Sequence, residues 1–308
     1  MKSYLSDKTA LFIGSSYMVE QCLLISLKKF KKIYLVSDDK RLVKKFKKKI
    51  TLLTFSKIKL RKFDFLFSIL NETIISEKIL KNISHNSINF HDGPLPKYAG
   101  LYSSTWAILN NEKTHGLCWH KIENSIDGGK IYEKLTFKIN ECFSAYHIDF
   151  MSSFLGIKLF KIILKKLQKN NLKGYSQNLK LRTYYGHKHF KKVPNYGFLN
   201  LDKNYKENYK IFRALNFSSQ KKNKICHPKL LTTRGPFIVK NIQIENQFNL
   251  NNYKKRQILL IEKNFLIIKC KNKLLKVTVD KLIKNFKKKS LPKISKKKSL
   301  KYFKYGIN

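Results

Sequence analysis

Ser87-Ile88-Asn89-Phe90-His91-Asp92-Gly93-Pro94-Leu95-Pro96-Lys97-Tyr98-Ala99-Gly100 joins an apolar strand to a loop whose Gly and Pro residues fix the backbone tightly. Asn89 and His91 stand two apart on the strand, so both side chains face one way. Upstream, short apolar runs alternate with helix-like segments. Strands are predicted over Ala10–Ile13, Lys32–Val36, Asp64–Leu70 and Asn86–Phe90, and helices over Val19–Leu27, Arg41–Lys49 and Ile74–Asn82. This rhythm predicts an α/β fold with a parallel sheet, whose ligands gather at the carboxyl ends of the strands.

Downstream come His115-Gly116-Leu117-Cys118-Trp119-His120 and Ile126-Asp127-Gly128-Gly129-Lys130-Ile131. Acyl transfer to an amine needs a donor for the oxyanion, a base and a carboxylate that orients the base. Asn89, His91 and Asp127 are of the right types for these three roles. Spacing alone leaves a blander alternative open: a strand-end Asn, a core His and a turn-forming Asp.

A dinucleotide fingerprint fails at the first strand, where Gly14-Ser15-Ser16-Tyr17-Met18 offers one glycine rather than three, and Asp38 is read as an exposed strand-end acid. A long helix over Ala145–Lys169, with Ser144 as its N-cap, is read as core packing. Residues 170–196 read as a polar connector. After a short helix at Asn208–Phe217 come the apolar runs Phe237–Ile244, Gln257–Ile261, Phe265–Cys270 and Leu275–Val279. Breaks at Lys263-Asn264 and Lys271-Asn272-Lys273 separate the later runs at hairpin spacing, predicting a small antiparallel β-barrel of the oligonucleotide/oligosaccharide-binding kind. A Lys-rich tail from Lys284 follows.

The chain has 308 residues with 65 Lys and Arg against 19 Asp and Glu, a formal charge of +46. Such a balance favours anionic partners such as tRNA or a polyglutamylated cofactor. Nearly all of it is Lys, and the Lys-for-Arg bias is read as running through every segment. Compositional drift is therefore preferred to a dedicated nucleic-acid surface. Five cysteines, none in a C-x-x-C pair, read as reduced thiols of a cytoplasmic protein. Cys226-His227 is poor ligand spacing and no metal site is expected. No apolar run approaches the roughly 20 residues of a membrane span.

Asn-x-His at Asn89 and His91, the loop Leu95-Pro96-Lys97-Tyr98 and the Asp127-Gly128-Gly129 turn together resemble the formyltransferases that use 10-formyltetrahydrofolate. Phe63–Asn71 resembles the strand and loop lining that family's pterin pocket. Lys97–Gly100, Ser104-Thr105-Trp106-Ala107 and His115-Gly116 are most similar to peptide-synthetase formylation domains. Arg213-Ala214-Leu215 and Pro228-Lys229 recur in similar settings, and the β-rich end resembles the C-terminal barrel of methionyl-tRNA formyltransferase.

The resemblance implies a Rossmann-like formyltransferase domain over 1–175, a connector over 176–204, an OB-like domain over 205–286 and a basic tail over 287–308. It implies 10-formyltetrahydrofolate as formyl donor, Asn89, His91 and Asp127 as catalytic residues, and Leu95, Pro96, Lys97, Tyr98, Ile69 and Asn71 as folate-binding residues. The acceptor is an amine on methionyl-tRNA, an amino sugar nucleotide or an aminoacyl thioester, with tRNA reached through the basic surface and no membrane involved. Asp92-Gly93-Pro94 departs from the loop of the tRNA enzymes. The alternatives are a formyltetrahydrofolate hydrolase and a non-catalytic basic RNA-binding protein on the same fold.

Overall fold

The structure, a computed structural model, describes residues 3–217, 223–233, 235–248, 250, 253–262, 264–280 and 291–295. The expected basic tail therefore lies outside the described residues except for 291–295, and so does Lys263 of the expected turn.

The chain divides into two compact units, the first made of residues 1–103, 114–138 and 149–184 and the second of 104–113, 139–148 and 185–308. The first is built on a seven-stranded sheet. Its strands are β1 (Thr9–Ile13), β2 (Lys32–Val36), β3 (Thr51–Leu52), β4 (Phe63–Ile69), β5 (Ile83–His91), β7 (Thr114–Lys121) and β8 (Ile131–Lys138), in the order β3-β2-β1-β4-β5-β7-β8. Strands β1 to β5 are mutually parallel, and β7 turns antiparallel against β5. The short β6 (Ala99–Gly100) follows the Pro-rich loop.

Helices α1 (Tyr17–Ser26), α2 (Lys40–Phe46), α3 (Phe55–Ile58) and α4 (Glu77–Leu80) connect the parallel strands. Helix α5 (Ser103–Leu109) precedes β7, and the long α6 (Ala145–Gln168) follows β8. The side chains of Ser16 and Asp39 accept from the first-turn amides of Val19 and Arg41, which explains where α1 and α2 begin. Helix α4 is far shorter than the 74–82 expected, because only Ile79 of this stretch is buried while Ile74 is 73% exposed. With no apolar face to bury, so short a segment gains little from helix formation.

Burial on both faces follows the strand period. In β4, Phe65, Phe67 and Ile69 join Phe12, Phe90, Trp119 and Phe160 in one cluster, while Leu66 turns to the other with Leu11, Ile13 and Tyr34. Helix α6 covers the first of these faces. Trp119 donates its indole N–H to the Gly156 carbonyl at 3.0 Å. At Gly156 a Cβ atom would lie 2.4 Å from the Phe90 ring and 2.7 Å from Met18.

The second unit holds α7 (Tyr205–Leu215) and a five-stranded antiparallel sheet in the order β10-β11-β14-β13-β12. Its strands are β10 (Lys229–Thr232), β11 (Gly235–Glu245), β12 (Ile258–Ile261), β13 (Phe265–Cys270) and β14 (Lys273–Val279), with β9 (Tyr184–Tyr185) preceding them in the chain. Phe212 of α7 packs with Leu266, Ile268, Leu275 and Val277 on one face of this sheet. The small antiparallel β-domain expected after the Rossmann-like sheet is thus present. Strand β10, which lies outside the apolar runs expected as strands, pairs with the start of β11.

Among the described residues no helix is long and apolar enough to cross a membrane. All five cysteines are free thiols.

Gly156→Val is expected to destabilise the protein by about 1–3 kcal/mol through overpacking against Phe90. Urea unfolding measures it, and an unchanged midpoint would mean that α6 does not sit tightly on the sheet.

Candidate functional site

The last three residues of β5 carry Asn89 and His91 on one face, with Phe90 turned into the core. The antiparallel partner β7 places His120 directly opposite Asn89 and Cys118 opposite His91. Asp127 lies in the β7–β8 loop with a backbone φ of +53°. All three candidate catalytic residues come together. His91 Nδ1 is 3.6 Å from Asp127 Oδ2, and Asn89 Nδ2 is 3.1 Å from His120 Nε2, which in turn is 3.4 Å from Asp127 Oδ1.

Asp127 anchors the cluster. One carboxylate oxygen accepts from the Gly100 N–H at 2.8 Å. Burial opposes its ionisation. The adjacent imidazoles of His91 and His120 and the Gly100 amide more than offset that cost, holding the carboxyl well below the usual carboxylate range.

The two imidazoles are tied differently. His91 Nε2 donates to the Tyr98 carbonyl at 2.8 Å, leaving Nδ1 toward Asp127 at a distance too long for a hydrogen bond. His120 Nδ1 donates to the Lys121 carbonyl at 2.8 Å, so Nε2 can accept an Asn89 N–H. A carboxamide has two N–H donors. One therefore remains on Asn89 for an incoming group.

The loop after β5 is held from several sides. The Asp92 carbonyl accepts from Ser103 Oγ at 2.6 Å and from His115 Nε2 at 2.7 Å. Lys134 Nζ donates to the Leu95 carbonyl at 2.6 Å. A Cβ at Gly93 would lie 2.5 Å from His91 Nε2, so only glycine lets the loop pass over the imidazole. Tyr98, at φ +61°, donates its N–H to Thr183 Oγ1 at 2.8 Å, and the Ala99 N–H reaches the Thr183 carbonyl at 2.9 Å.

The candidate folate residues occupy distinct settings. Leu95 is wholly buried with Ala99, Cys118 and Ile131, and Ile69 lies in the main core. Tyr98 is buried, Pro96 half-buried and Lys97 exposed. Asn71 folds its side chain onto its own loop, accepting from the Thr73 N–H and donating to the Thr73 carbonyl.

Sequence reasoning missed His120 and the clamp supplied by residues 177–183. Gln177 donates to the carbonyls of Asp127 and Gly129, at 2.9 and 2.7 Å, and Arg182 to that of Ile126 at 2.6 Å. The first was findable: once β7 is read as the antiparallel partner of β5, His120 falls beside Asn89. The second carries no local signal, because its groups act on backbone far away in sequence.

Residues 56–148 match the family model described as formyl transferase. Over 111 residues the chain is 32% identical to a methionyl-tRNA formyltransferase of Caldanaerobacter subterraneus, covering 36% of this chain and 36% of that protein. Over 105 residues it is 30% identical to a GDP-perosamine N-formyltransferase of Brucella melitensis, covering 33% of this chain and 40% of that protein. The matched stretches thus span two fifths or less of these curated relatives. An N-formyltransferase from Helicobacter canadensis, solved in complex with folinic acid and dTDP-3-aminofucose, superposes with a TM-score of 0.67 at 20% identity, covering 89% of this chain and 100% of that one. At that identity the likeness establishes the fold.

Asp127→Asn is expected to lower stability by about 3 kcal/mol near neutral pH, because two imidazoles and an amide lose a buried anion. The native carboxyl titrates below its unfolded value of about 3.9, so its contribution is complete above that pH and fades as pH falls toward the native value. The gap between the parent and the variant in urea unfolding should therefore shrink below about pH 4. A gap that stays constant to pH 3 or grows there would contradict the assignment.

Proposed function

We propose that this chain, a member of the formyl transferase family through residues 56–148, moves the formyl group of 10-formyltetrahydrofolate onto a primary amine. The observation that carries this reading is the convergence of Asn89, His91 and Asp127 at the end of β5, with His120 bracing Asn89 and Asp127.

The amine lone pair attacks the formyl carbon, and the carbonyl π electrons move onto oxygen. The N–H that Asn89 does not give to His120 stabilises that oxyanion. His91 Nδ1, whose lone pair is not tied up in a hydrogen bond, accepts the proton released by the nitrogen. The Asp127 carboxylate at 3.6 Å stabilises the imidazolium so formed. Collapse of the intermediate then breaks the bond to the folate nitrogen, which takes the proton. Tyr98 holds the imidazole through its carbonyl while this happens.

In this reading the backbone of Leu95, Pro96, Lys97 and Tyr98 walls the folate, Leu95 acting from within the core, and Ile69 and Asn71 shape the end of β4. The catalytic part corresponds to 1–175 with residues 177–183 clamped onto it, and the OB-like domain begins at 205. Relatives named for methionyl-tRNA and for a GDP-linked amino sugar bracket the acceptor. The free thiols suit a reducing compartment such as the cytoplasm.

Purified protein supplied with 10-formyltetrahydrofolate should formylate either methionyl-tRNA or a nucleotide-linked amino sugar. Asn89→Ala should cut kcat by about 10²–10³-fold, the loss expected for one oxyanion donor. His91→Ala should leave no measurable transfer. Unimpaired turnover by either variant would remove that residue from the mechanism, and formate release without an amine would point to the hydrolase instead.

A further inference from the structure

The positive charge is not spread evenly. Between positions 28 and 62 the chain has fifteen Lys and Arg against two acids and between 156 and 308 forty against five, whereas between 63 and 155 it has eight against ten. The stretch carrying Asn89, His91 and Asp127 is therefore slightly acidic, although all eight of its basic residues are Lys.

The fold turns this unevenness into a surface. Strands β1 to β5 run parallel, so every turn that leads from a helix back into the next strand lies at the same end of the sheet. The turn into β2 contains Lys28, Lys31 and Lys32, the turn into β3 Lys47, Lys48 and Lys49, and the turn into β4 Lys59, Arg61 and Lys62, all of them exposed. Lys32 and Arg61 lie against the same Tyr34 ring, at 5.3 and 5.9 Å, confirming that two of these turns adjoin. At about 4.8 Å per strand, the ridge from β3 to β4 is about 14 Å long. Asn89 and His91 close the opposite end of β5.

Helix C-termini do favour cations, which gives the arrangement a purely structural explanation. That explanation accounts for one or two per helix. Helix α2 already has Lys44 and Lys45 in its last turn, so Lys47, Lys48 and Lys49 add mutual repulsion rather than further stabilisation. We infer that the strand-entry end of the first unit, with Lys47–Lys49 and Arg61-Lys62 at its centre, is a docking surface for the phosphate backbone of a nucleic acid.

Several turns of Lys at strand spacing match a row of phosphates and read no bases, since lysine is a point charge without the bidentate geometry of arginine. An anionic membrane fits less well. Leu60, 85% exposed, is the large apolar side chain standing out among these turns, and a basic patch with one such side chain falls short of the two signals that stable anchoring needs. The inference does not depend on the proposed catalysis, since the surface lies away from the site.

Fluorescence anisotropy with a fluorescein-labelled 20-nucleotide oligouridylate, and an oligothymidylate of equal length, between 50 and 200 mM KCl tests this. Both should bind, within a few-fold of each other, as backbone recognition requires. The triple variant Lys47→Glu, Lys48→Glu, Lys49→Glu should bind at least tenfold more weakly and lose about 2 from its log–log salt slope, three phosphates at about 0.7 each. The control Lys188→Glu, Lys191→Glu, Lys192→Glu changes the same net charge in the second unit and should weaken binding less than threefold. Should the first triple fail to fold by circular dichroism, Arg61→Ser with Lys62→Ser replaces it, with a slope loss of about 1.4. Equal losses in test and control variants, or no binding by the parent protein, would overturn the proposal. So would binding lost only to phosphatidylserine-containing vesicles while oligonucleotide affinity stays unchanged.

Discussion

The buried carboxylate of Asp127 is the constraint around which the site is arranged. An ion in a desolvated position persists only if donors surround it. Here the polar groups around it come from three separate pieces of chain: the N–H of Gly100 after the Pro-rich loop, and the imidazoles of His91 at the end of β5 and His120 at the end of β7. Keeping one charge therefore fixes the relative positions of a strand pair and two loops. The same contacts set the chemistry, because the carboxylate that needs His91 nearby is also the group that stabilises His91 when it takes a proton.

The surrounding loops are made rigid by backbone hydrogen bonds rather than by packing of large side chains. Gln177, Arg182 and Thr183 contact carbonyls and amides of the Asp127 and Tyr98 loops, and Lys134 holds the carbonyl of Leu95. Two residues in these loops, Tyr98 and Asp127, adopt positive φ. Such backbone costs free energy unless the environment holds it. Each of the two is flanked by one of these clamping contacts, so the conformations that aim the Tyr98 carbonyl at His91 and Asp127 at both imidazoles are maintained from outside the site.

How much of this was legible in the sequence depends on the range over which each feature is determined. The parallel core was readable because its strands are apolar on both faces, Phe65 and Phe67 on one and Leu66 on the other. Asn89 and His91 were readable because strand periodicity puts them side by side. Strands β7 and β8 were not separated out, although Thr114–Lys121 is nearly all buried; Gly116 and two histidines break its apolar pattern. Helix α4 was overextended because Ile74 and Ile75 suggest an apolar face that the fold does not bury in full. The clamp from 177–183 was invisible, since Gln, Arg and Thr in a polar stretch look like any connector until their distant partners are known.

The separation of charge explains how one small unit can hold both a basic ridge and a site that depends on a single anion. The two lie at opposite ends of β5, whose nine residues span about 30 Å. Screening at physiological ionic strength acts over about 8 Å, so the ridge has little effect on the ionisation of Asp127. Had the excess Lys been distributed through residues 63–155 as well, polyanions would collect over the very strand ends that must admit a substrate. The near-neutral site segment keeps them away, and part of the charge that attracts them is carried where the helices return to the sheet.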